Sequence, residues 1–489
     1  MDGKKGKVGI MRKCFFVLIL SLAGVMPCMG ETSKSLSASD VSVLNRRGLD
    51  LLATCCQEEA VKDTPVLISP FSIDSAFALL WLGSSAPVKE ELSNVLGLPS
   101  DMEGFAGANR ALSASKEPRI LTSNSLWADS RFPLAKNYVD LVNGYFPSSV
   151  FSFDNRKPGK SAEQMNAFVA EKTEGMITDL IAPAFIQPAQ TRLVLINTLY
   201  FKGRWRDKFD REQTVNDYPF HQLDGTVTSV AMMRDTRTAS YYETADYQVL
   251  ALPYKLRASD DEEDDDGEGY SFVAVLPTPA LDVTDLLARL GEGDAFARML
   301  ASCSKGKVRI KLPRLDFGYK SSLVTALKKR GMARAFCPDK ASFPALNGVE
   351  QVSEVIHVTR IKMDEEATEA AAATAIGMMA KGCYERTPPT PPIPEFTADH
   401  PYLGFIVEHR NGLVLFAGVI RRIGSSPRSG GMSREAMEER EARRRAGFRK
   451  AMEEYRKAME EYRNPPPPVR HPAAPSRGKP GVPLIDDDF

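Results

Sequence analysis

The sequence lacks a net charge, and it also lacks the short motifs of the common enzyme classes. Its 63 basic and 63 acidic residues cancel, so no overall field favours nucleic acid or an anionic membrane. It contains no phosphate loop, dinucleotide-binding glycine motif, HExxH pair or nucleophile elbow. Metal-ligand spacing is also absent from the five histidines, which are His221, His357, His400, His409 and His471. The sequence therefore predicts neither an enzyme nor a cofactor or metal site.

Cysteine is scarce and unevenly placed. Two of the seven cysteines lie within the first 30 residues, and the remaining five are an odd number spread along the chain. Their spacing fits neither a disulfide framework nor a zinc site, so we interpret them as buried or free thiols. Sequons for N-glycosylation are absent as well.

The N-terminus has the pattern of an export signal. Basic residues up to Lys13 precede an apolar run from Phe15 to Met26, and small residues lead to Gly30. We expect cleavage after Gly30 and a secreted, extracellular protein, or a periplasmic one in a bacterium. The apolar run is short for a membrane span, so the mature protein is expected to have no transmembrane anchor; an uncleaved anchor is the alternative.

Residues 31–423 read as one large α+β domain, because helical and strand-like periods alternate in no strict order. Helices are predicted over 72–82, after the Ser69-Pro70 start signal, and over 161–181, where Gly175 ends or bends the second helix before Met176. Strands are predicted over 192–201, 247–253, 270–276, 307–312, 353–363, 402–409 and 412–420, the first of them buried on both faces. The acidic run 260–268 is interpreted as a solvated hairpin loop, with a cation or basic-partner site as the alternative.

The chain changes character after Ile423. Residues 424–431 are typical of a flexible linker, a charged helix with a seven-residue repeat is predicted from Ser433 to about Arg463, and the Pro-rich remainder to Phe489 is expected to be disordered. The repeat is too short for a confident coiled coil. A solitary solvated helix is favoured, and weak pairing with a partner stays open.

The run from Asp364 to Ala375 is ambiguous between helix and strand. Its alanines favour a helix, yet its small residues would also fit a crowded sheet, and the Pro-rich stretch 388–394 cannot continue a helix. This pattern suits a mobile exposed loop that can become a strand.

Five segments in order resemble the serpin family of serine protease inhibitors. The run 364–375 resembles its reactive-loop hinge, and the others are Ile68–Ile73, Leu195–Trp205, Ala398–Ile406 and Leu415–Ile420. The resemblance spans about residues 38–423. It implies three β-sheets, eight or nine helices and an exposed reactive-centre loop over about 364–396.

The resemblance implies single-use inhibition instead of turnover. A protease cleaves the loop, forms an acyl-enzyme and is trapped when the cut loop inserts into the largest sheet. The hinge must then be small or compatible with a strand; its residues here are Glu365, Glu366, Ala367, Thr368, Glu369, Ala370, Ala371, Ala372 and Ala373. Ala367 stands where the family usually has glycine, which could slow insertion, and Glu369 should face outward because burying its charge is costly.

The family's spacing places the scissile bond at Lys381–Gly382, with Arg386 as the runner-up because the following segment is long. A basic bait residue fits the acidic pocket of trypsin-like proteases. The alternatives are a non-inhibitory carrier or chaperone, which the small hinge argues against, and inhibition of a cysteine protease.

Five further residues match structural positions of the family. Ser69, Ser72, Asn197 and His357 match a polar cluster beneath the opening of the main sheet, and Trp205 matches an aromatic residue at its top. Basic residues are not clustered on the early helices, so no heparin-type cofactor is predicted.

Overall fold

The computed structural model describes residues 35–424 apart from 59–63, 116–117, 147–148, 189, 257–268, 348 and 366–391, together with 427–428 and thirteen residues between 439 and 460. Residues 35–424 contain, within their described part, nine α-helices: α1 Ala38–Cys56, α2 Pro70–Gly83, α3 Ala86–Leu96, α4 Met102–Ala114, α5 Lys136–Tyr145, α6 Pro158–Lys172, α7 Val283–Leu290, α8 Ala295–Ala301 and α9 Val324–Lys329. The strands are β1 Val66–Ile68, β2 Arg119–Asp129, β3 Val150–Phe153, β4 Leu193–Lys202, β5 Val215–His221, β6 Val227–Glu243, β7 Tyr247–Pro253, β8 Tyr270–Pro277, β9 Ser304–Pro313, β10 Leu315–Ser322, β11 Glu354–Met363, β12 Glu395–Thr397, β13 Tyr402–Glu408, β14 Val414–Ile420 and β15 Pro427–Arg428.

The strands form two hydrogen-bonded sheets within the described residues, where the family resemblance implied three. One has five strands in the order β10-β11-β4-β2-β3, and the other has ten, with the main path β1-β14-β13-β8-β7-β6-β9-β12. The physical reason is the length of β6, which has 17 residues and pairs with β5 near its start and with β7 at its end. Strand β6 therefore joins, by continuous hydrogen bonding, two sheets that the resemblance counts separately. The α+β fold class is confirmed.

The central part of the five-stranded sheet is covered on both faces. Helix α2 packs on one face, against β2 and β4, while Met165 and Val169 of α6 pack on the other against Trp127, Ile196 and Ile356. Nine of the ten residues of β4 are buried accordingly, as predicted for a strand covered on both sides.

Helix α2 begins where its sequence predicts. The Ser69 side chain accepts a hydrogen bond from the backbone N–H of Ser72, and Pro70 occupies the first helical position. The helix has apolar residues on all of its sides, and nearly all of it is therefore buried.

The helix predicted over 161–181 ends shortly before Gly175, the residue at which its sequence predicts an end or a bend, and it does not resume after that residue. Helix α6 ends at Lys172, because Glu174 and Gly175 adopt left-handed backbone angles with φ of 52° and 76°. The hydroxyl of Thr173 bonds to the carbonyl of Val169 and accepts the N–H of Ile177, which closes a turn in place of a further helical turn.

The acidic run and the C-terminal extension lie wholly or mostly outside the described residues. The acidic run 260–268 lies outside the described residues, and the strands on either side of it, β7 and β8, are antiparallel neighbours. The described residues between 439 and 460 are helical. Within the predicted linker, Pro427 and Arg428 pair with Thr228 and Val227, so the tail leaves the domain beside the start of β6.

Candidate functional site

The predicted reactive loop connects the two sheets. It leaves β11, whose last residue is Met363, and the chain returns at β12, which pairs with β9 in the ten-stranded sheet. Residues 366–391 lie outside the described part, and with them the proposed reactive bond Lys381–Gly382, its runner-up Arg386 and the hinge from Glu366 to Ala373. The described site therefore consists of the loop's first residues, Asp364 and Glu365, and the sheet beneath them.

Strands β4 and β11 are parallel neighbours in the middle of the five-stranded sheet. Their register pairs Glu354 with Val194 and Ile361 with Phe201. On their outer sides both strands pair in antiparallel fashion, β11 with β10 and β4 with β2. A chain that turned back after β11 and entered between the two would run antiparallel to both of them, so it would replace one parallel pairing with two antiparallel ones. Antiparallel pairing is slightly more stable per residue.

A buried polar network ties β4 to β11 at the middle of this pairing. His357 and Asn197 are register partners, and the imidazole Nδ1 contacts Asn197 Oδ1. The imidazole Nε2 lies 3.2 Å from the backbone nitrogen of Ser69. Because that N–H can only donate, Nε2 is the acceptor and Nδ1 carries the proton. Burial is the cause that lowers the pKa of His357 to about 3, so the neutral ring fills this position.

Asn124 of β2 completes the network. The Asn197 amide donates to Ser72 Oγ at 2.6 Å and also to Asn124 Oδ1, and the Ser72 hydroxyl donates to Asn124 Oδ1 at 2.9 Å. Strands β2, β4 and β11 and the first turn of α2 are thereby joined. Separating β4 from β11 would break the contact between Asn197 and His357.

Trp205 lies at the end of the same strand pair. Its ring stacks on Tyr254 with 4.8 Å between ring centroids and 8° between planes. Its indole N–H donates to the backbone carbonyl of Asp364 at 2.8 Å. The predicted aromatic position thus holds the chain at the point where the loop begins.

Glu365 is fixed by an ion pair directly after that point. The Arg314 guanidinium Nε lies 2.9 and 2.8 Å from the two carboxylate oxygens, and the Thr214 hydroxyl donates to Oε1. The Glu365 side chain is 1% exposed and that of Arg314 is 40% exposed. Burial by itself raises the pKa of Glu365, but the hydrogen bonds from Arg314 and Thr214 outweigh it and hold the pKa below its ordinary 4.5.

The structure brings the predicted structural residues into two groups and adds three residues that the sequence analysis missed. Ser69, Ser72, Asn197 and His357 form the network, while Trp205 and Glu365 lie at the loop's base. The missed residues are Asn124, Arg314 and Thr214. Each acts through a partner that is distant in sequence, and no local pattern marks any of them.

A family model described as "Serpin (serine protease inhibitor)" matches residues 42–423. The chain belongs to the serpin family. Members of this family are in general protease inhibitors and not catalysts.

The similarity to known proteins extends over most of the domain. An uncharacterised serpin-like protein of Thermococcus kodakarensis is 31% identical over 388 residues, which cover 77% of this chain and 84% of that protein. Among solved structures, the thermophilic serpin tengpin in its native state superposes with a TM-score of 0.67 at 22% identity, over 80% of this chain and 96% of tengpin. Human thyroxine-binding globulin complexed with thyroxine gives a TM-score of 0.67 at 20% identity, covering 79% of this chain and 99% of the globulin. At these identities the two structures establish the fold alone.

Across the part of the chain that the structure describes, no helix combines the length and apolar character needed to cross a membrane.

Proposed function

We propose that this protein is a secreted, single-use inhibitor of trypsin-like serine proteases, with Lys381–Gly382 as the reactive bond. One observation carries the proposal: β4 and β11 are direct parallel neighbours, and Glu365 is anchored just beyond the end of β11. Glu365, from which the loop continues, is therefore fixed just beyond the end of the central parallel pairing. An added strand between β4 and β11 would replace that pairing with two antiparallel ones.

The length of the loop fits this role. Strands β4 and β11 have ten residues each, and an added strand of that length spans about 34 Å. Sixteen residues, Glu366 to Lys381, precede the proposed bond. They suffice for a reversing turn and a ten-residue strand, so cleavage after Lys381 would free enough chain to fill the sheet.

The composition of the hinge supports insertion. The sheet at this position is packed by α2 on one face and by α6 on the other, so a new strand must fit without bulky side chains. Thr368 and the four alanines Ala370–Ala373 meet that demand. An ordinary surface loop would have no reason to avoid large residues over this length.

The chemistry is that of an interrupted hydrolysis. The protease serine oxygen bonds to the carbonyl carbon of Lys381, the bond to the Gly382 nitrogen breaks, and the leaving amine takes the proton. An ester then joins the protease to Lys381. Insertion carries that ester along the sheet before water attacks it, and the protease remains attached.

The proposal is tested by mixing the mature protein with trypsin and examining the products on a denaturing gel and by mass spectrometry. We expect a detergent-stable complex and a released peptide that begins at Gly382. A peptide beginning at Thr387 would move the bond to Arg386. Complete cleavage without a complex would instead indicate a non-inhibitory serpin, and a complex with a papain-like protease alone would indicate the cysteine-protease alternative.

Substitutions distinguish the role of the residue before the scissile bond from the role of loop insertion. Lys381→Gln should abolish the complex with trypsin, while Arg386→Gln, the matched control, should leave it intact. Thr368→Arg should still be cleaved but should yield mostly free, active trypsin, because insertion would have to bury a guanidinium. Equal complex formation by Thr368→Arg and the unmodified protein would contradict insertion.

Export is tested separately. N-terminal sequencing of the protein recovered outside the cytoplasm should begin at Glu31, the residue after the proposed cleavage site. A protein that keeps Met1 would contradict the proposed signal peptide.

A further inference from the structure

Strand β9 carries a row of basic side chains on one face. Lys305, Lys307, Arg309 and Lys311 alternate along the strand, and alternate residues of a strand point to the same side about 6.8 Å apart. The first three are exposed and Lys311 is half-buried. We refer to these four residues as the basic row.

No acidic residue of the neighbouring strand β6 lies directly opposite the row. The residues of β6 directly opposite it are Ser240, Thr238, Thr236 and Arg234, which are neutral or basic. On the other side, Glu395 of β12 contacts Lys311 at 2.6 Å and Arg309 at 3.5 Å. The positive charge is thus partly balanced at Lys311 and Arg309, and the exposed Lys307 lies beyond these two contacts.

The row lies where the reactive loop returns to the protein. Strand β12 runs parallel to β9 with Glu395 opposite Arg309, and the Arg309 N–H donates to the carbonyl of Pro394 at 2.9 Å. Because the two strands are parallel, the chain that precedes Glu395 approaches from the Lys307 end. A protease that holds the loop in its cleft is therefore tethered beside the exposed part of the row.

We propose that the basic row is an accessory docking site that binds an acidic surface of the target protease. This inference rests on the proposed inhibitory function and adds to it a second determinant of target choice. Complementary charge at the rim of an interface accelerates encounter and is sensitive to salt. The row would therefore select, among proteases that accept a basic bait residue, those with acidic residues beside the cleft.

The proposal is tested with a pair of trypsins that share bait specificity and differ in surface charge, one anionic and one cationic. At low ionic strength the unmodified protein should inhibit the anionic trypsin faster, and salt should remove the difference. Lys307→Glu combined with Arg309→Glu should lower the second-order rate constant for anionic trypsin about tenfold and raise that for cationic trypsin.

A matched variant controls for charge reversal in general. Lys328 and Lys329 are two exposed residues of α9, which packs on α1, and reversing both should leave the two rate constants unchanged. The number of protein molecules consumed per protease should be the same for every variant, because the row acts before cleavage.

The outcomes that overturn the proposal are distinct. Unchanged rate constants in the β9 variant, with normal complexes, would mean that the lysines serve only to keep an exposed strand edge from pairing with other chains. A linear sulfated polysaccharide should compete with anionic trypsin for the basic row and so slow its inhibition. If the polysaccharide accelerated inhibition instead, the row would be a polysaccharide-binding site and the docking proposal would be wrong. Failure of the inhibitory function itself would appear as no detergent-stable complex with either trypsin, and it would remove the basis of this proposal.

Discussion

Asn197 and His357 face each other across the parallel strands β4 and β11, and their side chains are hydrogen-bonded at full burial. Neighbouring strands lie about 4.8 Å apart, and inserting a strand between them would double that separation. The contact can therefore exist only while the sheet has five strands. The hydrogen bond of His357 to Asn197 therefore depends on whether the sheet has five strands or six.

Removing this imidazole should destabilise the five-stranded state. His357→Ala leaves Asn197 Oδ1 and the Ser69 N–H buried without partners, and it also leaves a cavity. We expect the free energy of unfolding to fall by about 2–4 kcal/mol. Thermal unfolding measures the loss, and native gels report any self-association through the opened sheet.

A milder substitution in the same network provides the comparison. Ser72→Ala removes one hydroxyl but leaves Asn197 bonded to both Asn124 and His357, so a loss of about 1 kcal/mol is expected. If the two variants lost equal stability, the central role of His357 would be wrong.

The same residue predicts a dependence of stability on pH. Burial lowers the pKa of His357 from 6.5 to about 3, so between these values the unfolded chain binds a proton that the native protein does not. The stability that His357 contributes is therefore complete above pH 6.5 and is lost as the pH falls toward 3, by about 1.4 kcal/mol for each pH unit.

Urea unfolding at pH 7 and at pH 5 checks this prediction. The unmodified protein should lose about 2 kcal/mol more than His357→Asn over this interval, because the variant has no imidazole at this position to titrate. Parallel losses in both proteins would assign the pH dependence to other groups.

The elements of the fold follow from local sequence more closely than their assembly does. Predicted strands such as 247–253 and 270–276 coincide with β7 and β8 within one residue, because β-branched and aromatic runs bounded by turns determine them. Helix α6 ends at Lys172, close to the Gly175 that the sequence marks as an end or a bend, because Glu174 and Gly175 adopt left-handed backbone angles. The joining of two layers into one ten-stranded sheet depends on the 17-residue strand β6, which is not among the strands that the sequence predicts.

The residues of the candidate site also divide into those that the sequence could predict and those that it could not. Trp205 could be predicted because it lies in a segment that resembles the family, and His357 because it matches a structural position of that family. Arg314 and Thr214 could not, since their role comes only from Glu365, which approaches them across 51 and 151 positions of sequence. The reactive bond itself lies outside the described residues and stays a prediction.

The C-terminal extension should be dispensable for inhibition. The domain ends near Ile423, whose carbonyl accepts the Thr228 hydroxyl at 2.7 Å, and only Pro427 and Arg428 of the described tail residues pair with β6. Truncation after Arg428 keeps these contacts, so the rate constant for trypsin inhibition should be unchanged. A loss of inhibition on truncation, with thermal stability retained, would instead give the tail a part in protease binding.

The ion pair at the loop's base should set how firmly the loop is held before cleavage. Glu365→Gln and Arg314→Gln each remove the same charge-assisted contact, so each should lower the free energy of unfolding by about 2 kcal/mol. The double variant should cost little more than either single one, because residues that share one interaction are not additive. The pKa of Glu365 lies below 4.5 in the native state, so its contribution persists above that pH and is lost as the pH falls further. Additive losses in the double variant would mean that Glu365 and Arg314 stabilise the protein independently.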